Sequence, residues 1–426
     1  MNKKEKTQLL LVMPVLFFGL AVCLQAEEQD SMWITLITMV YSVTPKEDTP
    51  ELNFLAYIPI ITNDSVPVCI GLSDESKYNS HVSGFTFKTI RGDGNLIRVT
   101  LKDLKKNTKY YLAFDTYTLK KVDHCEDLPS FVSLSSYSTL GDEFREYTQP
   151  SLTVQSSAEP IRDKAFEIFY GTWTGNVREA LEKIVRFTAE KIEFKAPGDQ
   201  TALVSLNRGY AVCTGKANLA VALARSLGIP ARILAVLSSH FICEFWIPDY
   251  GWVRGESTQG IFPDPKHIWT VDWIADIEDE NLFGPSGGII AYLGIEGIGD
   301  ATWTPEYDEI NRPEHWIQNY ATVDGDSVLN MLLFNKGADL WRLFRQIQNL
   351  ELGKDQRSLF DAYHDSYFQS LIENDIQSSL IWADLAVEEG IRLVGQKHLG
   401  GASGSSRKKE GTNEKSRPLL LRPYLH

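Results

Sequence analysis

Residues 213–230 read Cys213-Thr-Gly-Lys-Ala-Asn-Leu-Ala-Val-Ala-Leu-Ala-Arg-Ser-Leu-Gly228-Ile-Pro230. Between Ala217 and Leu227, alanine, leucine and valine occupy nearly every side of a helical wheel, the mark of a helix buried all round rather than along one stripe. Gly228 suits the left-handed position that closes such a helix, and Pro230 blocks its continuation. The segment is expected to be a central core helix with Cys213 at or just before its first turn. A cysteine there sits beside backbone N–H groups that lack an intrahelical acceptor and at the positive end of the helix dipole, and both favour thiolate over thiol. A buried free cysteine is nonetheless most often inert packing, so its neighbours must decide.

Downstream, Arg232 to Leu237 and Phe241 to Ile247 read as strands, followed by the turn Pro248-Asp249-Tyr250-Gly251 and a strand from Trp252. His240 opens the second strand and could act as general base toward the thiol, with Glu256 orienting the imidazole. This requires both side chains on one face. A two-residue loop Asp249-Tyr250 would put them on opposite faces by simple alternation. Asp249-Tyr250-Gly251 as a type I turn closed by a left-handed glycine supplies the odd count, and Gly255 could add a bulge. Cys243, odd-numbered relative to His240, should face the other way as core.

The stretch Gly209 to Gly260 resembles the transglutaminase-like superfamily of papain-type cysteine enzymes. The likeness rests on Cys213 opening an Ala/Leu-rich helix, Gly228-Ile-Pro-Ala-Arg232 ending it, His240 with Glu244 four residues on, and Tyr250-Gly-Trp-Val253 before an acid. The segment Tyr147 to Phe194 also looks like the helical lead-in of bacterial members. The resemblance implies a papain-like α/β core with Cys213, His240 and Glu256 as nucleophile, base and orienting acid. Two departures stand out: the third position is usually Asp, with Asp264 a less favoured substitute here, and Ile242 stands where relatives often carry an aromatic residue. Glu244 reads as a structural hydrogen-bonding acid. The backbone N–H of Cys213 would help bind an oxyanion, with Asn207 or Tyr210 open as its second donor.

Upstream, Ser156 with Glu159 resembles a capping box opening a helix to Tyr170, and Asn176 with Glu179 one opening a helix through about Ile192. Ala180, Ile184, Phe187 and Ile192 mark the buried face of the second. From Trp33 to Leu140 the text changes to short apolar or alternating stretches: Trp33 to Val43, Leu52 to Ile61, Phe85 to Ile90, Leu96 to Leu101, Tyr110 to Tyr117 and Phe131 to Ser138. Strands at this spacing suggest a β-sandwich. Residues 329–350 and 356–396 read as helical, and the stretch after Leu399 as a disordered basic tail.

The expected fold is therefore α+β: an N-terminal β-sandwich (27–148), a papain-like/transglutaminase-like catalytic domain (149–300), a mostly helical region (301–398) and a disordered basic tail (399–426). Residues 1–26 form the remaining segment. There Lys3, Lys4 and Lys6 precede the apolar run Leu9 to Leu24, the pattern of a secretory signal. Cleavage after Ala26, lipidation at Cys23 and retention as a membrane anchor all stay open, and the expected location is periplasmic, cell-envelope or secreted. In an oxidising compartment Cys69 and Cys125 are expected either to pair or to be unpaired together.

Forty-two basic against 56 acidic side chains give a net charge of −14, which argues against a nucleic-acid partner. No Cys/His grouping has zinc spacing, His267 reads as a solvated loop residue, and Gly284-Pro-Ser-Gly-Gly288 lacks the Lys-Ser/Thr of a phosphate loop, so neither metal nor cofactor is expected. The expected partner is a peptide, protein or amide substrate in the cell envelope or outside the cell. Two functions compete: a cysteine-dependent hydrolase or acyl transferase, foremost a protease or amidase, and a catalytically silent cell-envelope binding module.

Overall fold

The structure, a computed structural model, describes residues 32–62, 64–73, 78–89, 95–121, 127–195, 198–236, 240–264, 270–282, 294–295, 307–310, 314–323, 327–350 and 352–400. The signal-like segment, Cys23, Cys125, His267, Gly284 to Gly288 and the basic tail lie outside these residues. No described helix is long and apolar enough to cross a membrane.

The first six strands are β1 (Met32–Pro45), β2 (Thr49–Tyr57), β3 (Ser65–Leu72), β4 (Val82–Thr89), β5 (Asn95–Leu104) and β6 (Tyr110–Lys121). They divide between two antiparallel sheets, β1-β6-β3 and β2-β5-β4. Tyr41 of β1 and Phe54 of β2 meet ring to ring at 5.2 Å, so the sheets share one apolar core. β3 escaped the sequence reading because Pro67 interrupts its apolar run, and it sits where the β3–β6 register shifts, as a proline in a sheet must. Phe131 to Ser138 is corrected: Leu134–Thr139 forms a 3-10 turn, with the Ser133 hydroxyl accepting from Ser135 N–H. Its serines and threonines hydrogen-bond locally instead of joining a ladder.

The middle of the chain comprises α1 (Glu159–Tyr170), α2 (Val177–Lys191), β7 (Glu193–Phe194), α3 (Ala202–Arg208), β8 (Tyr210–Ala211), α4 (Cys213–Ser226), β9 (Ala231–Val236), β10 (His240–Ile247), β11 (Gly251–Gly255), β12 (Val271–Ile274) and α5 (Ile277–Leu282). The antiparallel sheet β11-β10-β9-β12 carries α4 on one face. Every α4 residue from Thr214 to Arg225 is buried, as its apolar wheel demands. Leu219, Val221 and Leu223 are completely covered, each contributing about 1.5–3 kcal/mol of burial free energy. Gly228 takes φ 80° past the helix end. Asn176 caps α2 by accepting from Arg178 N–H, while Glu179 turns to the Thr174 hydroxyl rather than completing a box. Ser156 does not cap α1, which starts behind Ala158 with a proline in its first turn.

The last elements are β13 (Gly294–Ile295), β14 (Tyr307–Ile310), β15 (Glu314–Val323), α6 (Ser327–Gln348), α7 (Lys354–Ile372) and α8 (Ile376–Gly400). Three strands thus precede the helices expected from sequence, and all return to the N-terminal sheets: β13 pairs with β2, and β14 and β15 both pair with β1. α6 packs on β3 and β4, where Phe87 meets Trp341 and Phe344, each at 5.9 Å between ring centroids.

A buried seam joins the first sheets to the middle sheet. Ile60 packs with Leu234, Val236, Ile242 and Val271. Beside it Arg254 of β11, 2% exposed, reaches Asp64 at 2.6 Å and Glu244 at 3.2 Å, and Glu244 also takes Arg232 at 2.7 Å. Buried charges are tolerated when each has hydrogen-bonded partners of opposite sign, as these do.

Candidate active site

Cys213 is the first helical residue of α4, following Val212 in extended conformation. Gln200 fastens this entry: its Oε1 accepts from Val212 N–H at 3.0 Å, and its carbonyl accepts from the Asn218 side chain at 2.8 Å. Sequence reasoning missed Gln200, since its task depends on packing of α3 against α4 and leaves no local pattern. The same junction demands Gly215, where an added Cβ would stand 2.7 Å from Ala211 Cβ, Gln200 Oε1 and Ser205 Oγ. Gly215→Ala is expected to destabilise the fold by about 1–3 kcal/mol in denaturant unfolding. An unchanged midpoint would mean the junction yields freely.

His240 opens β10 opposite Val236, the last residue of β9. The β10–β11 ladder aligns Ile247 with Gly251 and Cys243 with Gly255, so the loop is the three residues Pro248-Asp249-Tyr250. The odd count expected from sequence is met one residue earlier than proposed. The left-handed position inside the loop belongs to Asp249, φ 64°, followed by Gly251 at φ 119°. No bulge is needed at Gly255, because the odd loop already gives His240 and Glu256 the same parity. Glu256 leaves the ladder and closes a tight turn with Ile261 through paired backbone hydrogen bonds of 2.9 and 3.2 Å.

His240 Nε2 and Glu256 Oε2 lie 2.5 Å apart. The carboxylate is 1% exposed, and its other oxygen accepts from Thr258 N–H at 2.7 Å, so it is fixed from both sides. Glu256, where relatives usually carry Asp, reaches the imidazole from this turn. The imidazole is also hydrogen-bonded to the Cys213 thiol. Structure therefore brings all three sequence candidates into one chain of contacts.

The electrostatics match. Burial pushes the Cys213 thiol up, but the hydrogen bond and charge of His240, with backbone N–H groups of Phe241 and Thr214, outweigh it and leave the thiol below its ordinary value. Burial works against the imidazolium of His240, yet hydrogen bonds to Cys213 and Glu256 prevail and raise it to about 9. Both shifts favour the thiolate–imidazolium pair over the neutral thiol and imidazole.

The remaining candidates fall elsewhere. Asp264 is buried among the charges around Arg254. Glu244 is held between Arg232 and Arg254. Cys243 is buried, donates to Gly255 carbonyl at 3.1 Å, and its thiol is pushed well up by burial. Cys69 and Cys213 are free thiols like Cys243, so no Cys213–Cys243 bridge exists. Asn207 is exposed on α3, whereas the ring of Tyr210 carries two cations, Lys195 and Arg208.

Residues 170–256, which span this constellation, match the family model of the transglutaminase-like superfamily. Two solved structures are similar to the chain. A candidate cysteine protease from Cytophaga hutchinsonii shares 16% identity at TM-score 0.47, with 70% of this chain and 93% of that chain covered. The periplasmic domain of TgpA from Pseudomonas aeruginosa shares 11% identity at TM-score 0.28, with 56% and 96% covered. A search of curated proteins finds no match.

Proposed function

We propose, from a central core that is transglutaminase-like, that this chain is an exported cysteine-dependent hydrolase of peptide or amide bonds. The observation that carries the reading is the continuous contact from Cys213 through His240 to Glu256, with the thiol held down and the imidazole held up. The Cys213 thiolate attacks the amide carbonyl, and the negative oxygen forms beside the Cys213 N–H at the start of α4. Imidazolium gives its proton to the departing amine, leaving a thioester on Cys213. Water then attacks the thioester as His240 takes its proton, and the thiolate leaves. An amine in place of water would give acyl transfer from the same intermediate. Glu256 holds the imidazole in the tautomer and orientation both steps need.

Export rests on the charged and apolar N-terminal segment read from the sequence. The assembled contacts favour the enzyme over a silent binding module, which has no need of an activated thiol. The deciding experiment labels the purified folded protein with iodoacetamide at neutral pH and maps the sites by mass spectrometry. Cys213 is expected to react far faster than Cys69 or Cys243, and Cys213→Ser to remove the fast phase. Labelling of Cys213 no faster than Cys243 would end the enzymatic reading.

A further inference from the structure

The chain is strongly acidic overall, with a net charge of −14, yet two cations converge on the ring of Tyr210, three residues before the nucleophile in sequence. Lys195 Nζ lies 5.2 Å from the centroid of the Tyr210 ring, and the Arg208 guanidinium lies 4.7 Å from it. Neither cation forms an ion pair with a described carboxylate. Asp199, close in sequence, spends a carboxylate oxygen on Thr201 N–H at 2.8 Å.

The placement is built rather than incidental. β7 and β8 pair in parallel, with Glu193 N–H donating to Gly209 carbonyl at 2.8 Å and Lys195 N–H to Ala211 carbonyl at 3.1 Å. This fixes the Lys195 backbone beside Tyr210, and its exposed side chain extends over the ring. Gly209 at φ 73° turns the chain from α3 into β8, which brings Arg208 back toward the same ring. Gly198 at φ 126° leaves the space that Arg208 fills, for Nη1 lies 2.7 Å from where a Cβ would stand. The guanidinium is thus held between a glycine and an aromatic ring, with its N–H groups free of any described acid. Such a group recognises carboxylate well, because its fixed fork matches the two oxygens.

Tyr210 precedes Cys213 by three residues, a span of at most ~10 Å of chain. The ring that gathers the cations and the nucleophile thus sit on one short stretch of chain, at the β8–α4 junction. We propose that Lys195 and Arg208 form a carboxylate subsite beside Cys213, so that the substrate is an acidic peptide carrying a carboxylate near the amide that is opened. This inference rests on Cys213 being the nucleophile. The carboxylate comes from an acidic side chain or from a free C-terminus, and the test separates the two.

Two pairs of peptidyl vinyl sulfones serve as probes. One pair differs by Glu against Gln next to the reactive group, the other by a free terminal carboxylate against a terminal amide. The rate of Cys213 modification is measured for each in the wild type and in Lys195→Gln, Arg208→Gln and the double variant. Both members of a pair attack the same sulfur, so their ratio cancels any general change in reactivity or folding. The carboxylate member of at least one pair is expected to react about tenfold faster in the wild type, with the advantage shrinking in added salt. The pair that shows the advantage identifies the source of the carboxylate. Each single substitution should cut the ratio severalfold and the double variant bring it to about one. Equal rates within both pairs, or a preference that survives in the double variant, overturn the subsite while fast wild-type labelling by iodoacetamide still stands for the nucleophile. Slow iodoacetamide labelling of Cys213 would overturn both.

Discussion

His240→Ala is expected to lower amide turnover by on the order of 10²–10⁴-fold and to change the pH profile of Cys213 alkylation, not merely its height. In the wild type the thiol lies below its ordinary value and His240 is raised to about 9, so the thiolate–imidazolium pair fills the window between the two. Labelling should stay fast as pH falls from 8 toward 6, reference points at which a free thiol of pKa ~8.5 is increasingly protonated. Once His240 is gone, burial is the largest remaining influence on Cys213 and pushes the thiol up. The fast neutral phase should vanish and reappear only in alkali. Glu256→Gln should act in the same direction but less severely, because it leaves the base in place while weakening its raised pKa and its orientation. A variant lacking His240 that keeps the wild-type alkylation profile would show that the histidine does not activate the thiol.

Glu280→Ala is expected to cost about 3–5 kcal/mol of unfolding free energy, enough to threaten a domain of ordinary stability. Glu280 of α5 and Arg225 of α4 form a bidentate pair at 2.9 and 2.7 Å, with both side chains 0% exposed. Arg225 also donates to the carbonyls of Ala231 and Gln149, so it ties the end of the core helix to β9 and to the lead-in segment. Removing the carboxylate strands a buried guanidinium that cannot shed its charge. Replacing Arg225 and Glu280 together with leucine should recover much of the loss, since no unpaired charge then remains. Denaturant unfolding of the single and double variants measures the coupling. Additive losses would mean that the two residues act through separate contacts.

The parts of the fold that were legible in the sequence share one property: their signal is local and repeats. The wheel of α4, the Gly228-Ile-Pro230 stop, the Asn176 cap and the odd loop between β10 and β11 can each be read within a few residues. What escaped depends on distant partners. β3 carries a proline that local rules count against it, and β13, β14 and β15 have meaning only beside β2 and β1. The Phe131 to Ser138 stretch alternates like a strand, but its hydroxyls find backbone partners nearer by. At the site, Cys213, His240 and Glu256 were readable from helix position, strand parity and family resemblance. Gln200 and the cation pair on Tyr210 were not, since a single polar side chain 13 positions before the nucleophile announces nothing until tertiary packing sets its direction.

The return of β15 to β1 sets a schedule for synthesis. Met32 pairs with Val323, so one edge of the first sheet waits for roughly 280 further residues before it is closed. At ribosomal rates of about 5–20 residues per second that interval lasts on the order of 15–60 s. During it a long apolar strand has an open row of backbone donors and acceptors, a template for pairing with another chain. A polypeptide shortened near residue 300 would keep Cys213, His240 and Glu256 and yet leave that edge open permanently. Such a fragment should accumulate as aggregate rather than as a minimal enzyme. Safe folding of the full chain then calls for a holding chaperone, or a delay of folding until synthesis of the whole polypeptide is complete.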